Sequence, residues 1–480
     1  MSILKGLEPE KVFYYFEQIC NIPHGSRDTK AISDYLVSYA KERGFSYIQD
    51  ELNNVIIKAP GTEGYENSEP VILQGHMDMV CEKRPDVDHD FQKDSIPIFV
   101  EDGFIKTKGT TLGGDDGIGV AFALAIMEEK SPHPPIETLI TVDEELGMEG
   151  AEFVDLSVLS GKKLINLDSE EEGVLTVGCA GGTRLTGEIP FEKEPVSGRI
   201  YSVKISGLLG GHSGDDIKFQ RGNASKLLAR FLYEYDAVRP LRIIEFNGGS
   251  RENVIPSEAD CTFVSSANAE EVQSFAIHMK ETFDKEFMGD ESNLAIATEP
   301  LGEKECHAMT KDSMKRVLNY LVCCPNGVYG YNRKLSGLVE LSTNLGIVRT
   351  REDHLYVLHL IRSSSDSLKE SLRDQINACI KMAGGIANVG STYSAWQFNP
   401  DSNLRKVMED AYEYQYDAKP KVETIHAGLE CGLFLGKRPD LDCVAIGPDI
   451  LDIHSYLERL DIASTHRSYE YLKEVLKRLK

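Results

Sequence analysis

Residues 138–147 read Thr-Leu-Ile-Thr-Val-Asp-Glu-Glu-Leu-Gly, a short, mostly apolar run that ends in adjacent glutamates. A run of this length is what a strand covered on both faces looks like, and parallel sheets are covered on both faces. Similar runs occur at Val55-Ile-Ile, Val71-Ile-Leu and Lys163-Leu-Ile-Asn-Leu. Between and before them, apolar residues recur at helical spacing over Pro9–Cys20 and Thr29–Arg43, where Ile32, Leu36 and Tyr39 share a face. Ile118–Glu129 reads as a buried helix opened by Gly113-Gly-Asp-Asp-Gly. Strands alternating with helices place this part of the chain in the α/β class.

The texture changes near residue 185. Longer candidate strands follow, at Arg199–Ser206, Arg242–Phe246, Ala259–Ser265, Leu338–Val348 and Leu355–Ile361. They alternate with long helical patterns over Ala224–Tyr235, Glu270–Phe287, Lys311–Cys323 and Asp366–Ala383. A β–helix–β–β–helix pattern occurs twice, and Asn253-Val-Ile-Pro before one strand resembles Asn344-Leu-Gly-Ile in the second half. After Ser391 the first texture returns, with helices over Asn403–Gln415 and Arg467–Leu479 and strands at Lys421–Ile425 and Leu441–Ile446. The expected organisation is one α/β domain split between 1–186 and 389–480, interrupted by an α+β lid domain over 187–388 that carries an internal duplication.

A chain of 480 residues admits two to four domains. Its formal charge of −25 excludes a nucleic-acid binder, which needs clustered Lys and Arg, and disfavours an anionic membrane surface. The N-terminus has no apolar segment of signal-peptide length, and no run reaches the roughly 18–20 residues of a membrane span. Ten scattered cysteines read as free thiols of a reducing cytoplasm.

Five stretches concentrate chemistry: Gly75-His-Met-Asp-Met, Leu112-Gly-Gly-Asp-Asp-Gly, Val142-Asp-Glu-Glu-Leu-Gly, Asn166-Leu-Asp-Ser-Glu and Asp452-Ile-His-Ser-Tyr-Leu-Glu. Most follow or close a strand, where open α/β sheets bind ligands. On an extended chain His76 and Asp78 point the same way, so one can ligate a metal while the other orients it. Alone, they also fit a strand-end histidine beside a surface aspartate. Asp116 fits a helix N-cap. Asp115, pressed into a Gly-rich turn, has two oxygens with which to bridge two metal ions. Glu144 and Glu145 are either solvated turn residues or a ligand beside a general base, since adjacent buried carboxylates need a neutralising cation. Asp168 is a solvated strand end or a ligand, and His454 taken singly is a surface or packed histidine. Together the set balances. Two zinc ions bring four positive charges, Asp115, Glu145 and Asp168 bring three negative ones, and a bridging hydroxide cancels the remainder.

With these motifs the chain resembles the co-catalytic di-zinc peptidases, a family that includes aminoacyl-histidine dipeptidase, peptidase T and carboxypeptidase G. The resemblance runs through Leu73-Gln-Gly-His-Met-Asp-Met-Val, Thr111-Leu-Gly-Gly-Asp-Asp-Gly, Asp143-Glu-Glu-Leu-Gly-Met-Glu-Gly, Gly210-Gly-His-Ser-Gly, Ile425-His-Ala-Gly-Leu-Glu-Cys-Gly and Ile453-His-Ser-Tyr-Leu-Glu-Arg. It implies a mixed-sheet, di-zinc exopeptidase-like catalytic domain with an inserted lid. His76 and Asp168 would bind one zinc, Asp115 would bridge, and Glu145 with His454 would complete the second. Glu144 would be the general base, and Asp78 would orient His76. His212 would help to bind substrate and stabilise the oxyanion. Asn253, Asn344 and Arg362 would be lid candidates for a terminal carboxylate, and His426 and Glu430 would line the cleft. The implied activity is hydrolysis of dipeptides, Xaa-His dipeptides such as carnosine included, by a cytoplasmic monomer or homodimer. Mn2+ or Co2+ are alternatives to zinc. Tripeptidase, carboxypeptidase and deacylase activities share this metal site, and a non-catalytic metal-binding scaffold is the remaining alternative.

Overall fold

The computed structural model describes residues 2–333 and 337–480. They form two compact units: residues 1–178, 396–424 and 429–480, and residues 179–395 with 425–428. The divisions fall at 178/179 and 395/396 rather than at 186/187 and 388/389. The reason is strand pairing: Gly181–Pro190 and Ile386–Tyr393 pair with each other inside the second unit's sheet.

The first unit is built on an eight-stranded sheet ordered Ser46–Gln49, Val55–Ala59, Ile136–Thr141, Val71–His76, Lys163–Asn166, Asp442–Ala445, Val174–Cys179 and Lys421–Ile425. The four central strands, from Ile136–Thr141 to Asp442–Ala445, are parallel to one another. Antiparallel pairs flank them, so the sheet is mixed. Val71–His76 and Ile136–Thr141 are buried at every position, as covered central strands are, including their polar residues Gln74, His76, Glu137, Thr138 and Thr141. The helix Gly114–Met127 is likewise buried all round and packs beside Val71–His76. The registers place His76 level with Thr141, and Gln74 level with both Leu139 and Asn166. The residues that follow these strands therefore leave one edge of the sheet together. A small antiparallel sheet, ordered Ile450–Leu451, Arg459–Asp461, Phe104–Thr107 and Ile98–Glu101, frames the turn over 452–458.

The second unit is a nine-stranded antiparallel sheet. Its main order is Ala295–Met309, Lys193–Ser206, Ala259–Ser265, Leu241–Gly248, Val339–Thr350, His354–Ser363, Gly181–Pro190 and Ile386–Tyr393, and Gly327–Tyr331 pairs with Val339–Thr350. Read from its two edges inward, the sheet repeats one connectivity. Lys193–Ser206, a helix over Ala224–Val238, two strands, a helix over Ala269–Glu286 and an edge strand make one half. Gly181–Pro190, a helix over Lys311–Cys323, the strands Gly327–Tyr331, Val339–Thr350 and His354–Ser363, a helix over Asp366–Met382 and an edge strand make the other, which carries one strand more. Asn253 and Asn344 are not counterparts in this scheme. Asn253 follows Leu241–Gly248, whereas Asn344 lies within Val339–Thr350.

In this unit's core Tyr320 donates a 2.8 Å hydrogen bond to His359 Nε2. Burial, reinforced by the charge of Lys226, lowers the His359 pKa from 6.5 to about 3. The unfolded chain then binds a proton below pH 6.5 that the folded chain rejects, so stability from this site is full above that pH and is lost as pH falls toward 3. Between pH 7 and pH 5 the loss is about 2 kcal/mol. Urea unfolding of the full chain should show this extra acid sensitivity, and His359→Gln should remove it.

Candidate metal centre

The side chains that leave the sheet edge of the first unit converge. His76 closes its strand; its Nδ1 donates to the Asp78 carbonyl oxygen at 2.9 Å, with the Asp78 carboxylate 3.5 Å away. That bond commits the hydrogen to Nδ1 and leaves the Nε2 lone pair facing outward. Nε2 lies 3.0 Å from Asp115 Oδ1 and 3.6 Å from Asp168 Oδ1. The other oxygen of Asp115, Oδ2, is 3.0 Å from His454 Nε2, which is also 3.1 Å from Glu145 Oε1. Asp115 thus belongs to two ligand triads, His76–Asp115–Asp168 and Asp115–Glu145–His454, and His76–Glu144–Glu145 forms a third. The ring nitrogens face two carboxylate oxygens each, but one nitrogen can serve at most one of them by a hydrogen bond. Glu145 Oε1 is indeed buried without a hydrogen-bond partner. Oxygens and nitrogens aimed at a shared point, rather than paired along hydrogen bonds, are what metal ligation requires, and the N/O donor set suits divalent zinc.

Electrostatics support the same fit. Burial opposes a charge on His76, yet Asp168 and the hydrogen bonds to Asp115, Asp168 and Asp78 push its pKa well above the usual histidine value. The hydrogen bond to Asp115 and the close carboxylate of Glu145 raise that of His454 to about 11. Burial drives the Glu144 carboxyl well above its ordinary range, with Asp168, Glu430 and Glu145 adding like-charge repulsion. Burial also raises Glu145 and Asp168. For Asp115 burial is outweighed by His454 and His76, and its pKa is lowered. A pocket of carboxylates in which only histidines can carry compensating charge is short of cations.

A supporting layer holds the ligands. Asp78 accepts from Ser26 Oγ at 2.8 Å and from the Glu144 amide at 3.1 Å, so the residue next to the His76 ring also holds the Glu144 main chain. Asp116 accepts from the Gly119 amide at 3.2 Å, the capping role read from the sequence, and from the His76 amide at 3.1 Å, which the sequence did not reveal. This bond depends on Gly75: a Cβ there would stand 2.2 Å from Asp116 Oδ2. Glu430 lies in this unit, fully buried, accepting from Gln74 at 2.5 Å and Thr141 at 2.7 Å, and burial raises its pKa to about 8. Glu458 went unrecognised in the sequence because its partners are main-chain amides.

The second unit gathers a different set. His212 Nδ1 lies 2.9 Å from Asp215 Oδ2, and its amide donates to Asp216 at 2.8 Å. Arg362 acts on the charge of Asp215 and donates to Tyr393 at 3.1 Å, while its buried Nε has no hydrogen-bond partner. His426 Nε2 is 2.7 Å from Ser342 Oγ, and burial followed by the Arg362 charge lowers its pKa to about 3, keeping the ring neutral. Asn253 accepts through its carbonyl from the Ser213 amide. Asn344 departs from its expected role: its NH2 group donates to the carbonyls of Glu252 and Val254 at 3.1 and 2.8 Å. Both donors are spent, so it braces the segment around Asn253 rather than offering N–H groups to a carboxylate.

Residues 72–478 match the peptidase family M20/M25/M40. The chain belongs to this family. This M20-family peptidase is 38% identical over 485 residues to the cytosol non-specific dipeptidase of Escherichia coli strain K12, covering 100% of this chain and 99% of that protein. Its fold matches the crystal structure of aminoacylhistidine dipeptidase from Vibrio alginolyticus with a TM-score of 0.92 at 36% identity, over 99% and 98% of the two chains. Aminopeptidase PepT from Bacillus cereus ATCC 10987 shares the fold at a TM-score of 0.56 and 16% identity, over 98% and 99%.

Gly75→Ala should displace Asp116 from the His76 amide. Zinc affinity, measured by chelator competition, is expected to fall about 10–100-fold, the usual cost of disturbing a ligand's support. Circular dichroism should remain that of the parent.

Proposed function

We propose that this peptidase is a zinc-dependent dipeptidase acting on free dipeptides, Xaa-His dipeptides such as carnosine among them, with Glu144 as general base. The observation that carries the reading is Asp115, whose two oxygens face His76 and His454 in separate ligand triads beside the buried Glu144. The full-length likeness to two named dipeptidases supports the substrate class. His76, Asp115 and Asp168 would hold one zinc ion, and Asp115, Glu145 and His454 a second. When bound, the ions supply Lewis acidity, polarising the scissile carbonyl and making water nucleophilic near neutral pH.

The remaining work falls to the chain's own groups. Glu144 takes the proton of the attacking water and later delivers it to the leaving amine. Its raised proton affinity suits that exchange, and the Asp78–amide bond holds its main chain in place. His212, hydrogen-bonded to Asp215 within the second unit, keeps the oxyanion-stabilising role that the family resemblance implies. Arg362, buried and with its Nε donor unused, binds the substrate's terminal carboxylate through its planar fork. The E. coli relative is named a cytosolic enzyme, and the reading extends that compartment to this chain. Among the described residues no helix is long and apolar enough to cross a membrane.

A panel of free dipeptides, tripeptides and N-acyl amino acids, run on zinc-loaded protein, tests the substrate class: dipeptides should be cleaved fastest, and preference for either other class overturns it. Glu144→Gln should lower kcat about 10²–10⁴-fold while zinc content stays at the parental level. Arg362→Lys keeps the charge but loses the fork. It should raise KM for dipeptides about tenfold with a smaller change in kcat, whereas equal loss in kcat alone would remove the carboxylate role.

A further inference from the structure

The turn that carries His454 also carries an acidic side chain whose partners are main-chain amides. Glu458 is 4% exposed. Its Oε2 accepts from the amides of Leu112 at 2.7 Å and Gly113 at 3.2 Å, and its Oε1 from those of Gly114 at 2.8 Å and Asp115 at 3.4 Å. The Glu458 amide donates to the Ser455 carbonyl at 3.1 Å, closing the turn. His454, on the same turn, reaches Asp115 from the opposite direction, through the aspartate's Oδ2. One short turn therefore holds Asp115 by its main chain and by its carboxylate.

Thr111 anchors the base of the loop to the carbonyls of Val80 and Glu82, and the amides at its tip, residues 112–115, find their partner in Glu458. Amides at the start of a helix have no partner within the helix. Gly113 is left-handed at φ 71°, and Asp115 is non-helical at φ −82° and ψ 106°. His454 is equally unsupported by regular structure: it sits at φ 56°, between two short strands, with its side chain 48% exposed. His76 and Asp168, by contrast, end or follow central strands of the sheet. The two ligand triads thus rest on different foundations.

We propose that Glu458 is the positioning residue for the Asp115–Glu145–His454 triad, fixing the Asp115 loop and the His454 turn as one piece. The proposal rests on the metal-binding reading above. It assigns the two zinc sites unequal dependence on this carboxylate: the His454 site takes two ligands, Asp115 and His454, from the segments Glu458 holds, and the His76 site takes only the shared Asp115.

Glu458→Gln in the full chain tests this. Gln keeps the shape but turns an NH2 group toward two of the amides. Zinc titration of metal-free protein against a chromophoric chelator should show two equivalents in the parent. In the variant one equivalent should weaken about 10–100-fold and the other, which shares only Asp115, by clearly less. Amide hydrogen exchange at residues 112–115 should accelerate. Gly114→Ala supplies a second route, because its Cβ would stand 3.2 Å from Glu458 Oε1 and shift the carboxylate without removing it. It should weaken the same equivalent more than the other. Two parental-strength equivalents with unchanged exchange in both variants, or equal weakening of both sites, would overturn the role of Glu458. A parent chain that binds no zinc would instead overturn the metal reading, and this proposal with it.

Discussion

Everything at the centre depends on Asp115 being shared: one oxygen faces His76 and the other His454. Around that bridge the fold packs Asp168, Glu144, Glu145 and Asp116 at one edge of the sheet, all removed from bulk water or nearly so. Buried like charges repel strongly because little solvent screens them. The directions of the proton affinities record the tension. Both histidines gain protons, Glu144, Glu145, Asp168 and Asp116 resist losing them, and the lowered carboxyls are Asp115, which faces both histidines, and Asp78, which lies beside His76. Divalent cations relieve the same repulsion more completely, which makes this arrangement a demand for metal and not merely a tolerance of it.

The sheet explains how chain segments so distant in sequence reach that bridge. Parallel strands in register end at the same level, so His76, the Val142–Glu145 turn and Asp168 arrive together without any of them being neighbours in the chain. His454 arrives differently. It belongs to a turn framed by the small sheet whose middle strand, Phe104–Thr107, leads into the Asp115 loop. Pairing of Arg459–Asp461 with that strand ties the two loops at their bases, and Glu458 ties them at their tips. The same solution recurs in the second unit. There Glu291, 3% exposed, accepts from the amides of Leu209 and Gly222, which bracket the segment carrying His212. In both places a buried carboxylate on main-chain amides stiffens a segment that regular structure leaves loose.

What could be read in the sequence follows from which interactions leave a pattern in it. Periodic apolar burial does, and the helices Lys311–Cys323 and Ala224–Val238 lie where the spacing puts them. The mostly exposed edge strands Ala295–Met309 and Ile386–Tyr393 have no apolar alternation to betray them, and the domain divisions shifted for the same reason. Among site residues, those whose partners are side chains of characteristic type, such as His76 with Asp78 and Glu144 beside Glu145, stood out in the motifs. Asp116 on the His76 amide and Glu458 on its cradle of amides did not, because a main-chain partner has no residue identity. Asn344 misled for a related reason: its amide suits a carboxylate in principle, but two carbonyls had already claimed it.

Charge bookkeeping in the second unit carries the argument one step further. Asp215 is hydrogen-bonded to His212, and that bond, with a smaller contribution from Arg362, holds its carboxyl below the usual range. His426 is kept neutral by burial and by Arg362, so it adds no second positive charge. Arg362 is left as the buried cation with its Nε donor unused, and a buried guanidinium is costly until an anion meets it. A single free carboxylate settles that imbalance, whereas an amidated or extended C-terminus brings no charge to the same place. On the proposed reading this is why the enzyme is an exopeptidase: the electrostatics of Arg362 and its neutral neighbour ask for the end of a peptide, and for one end only.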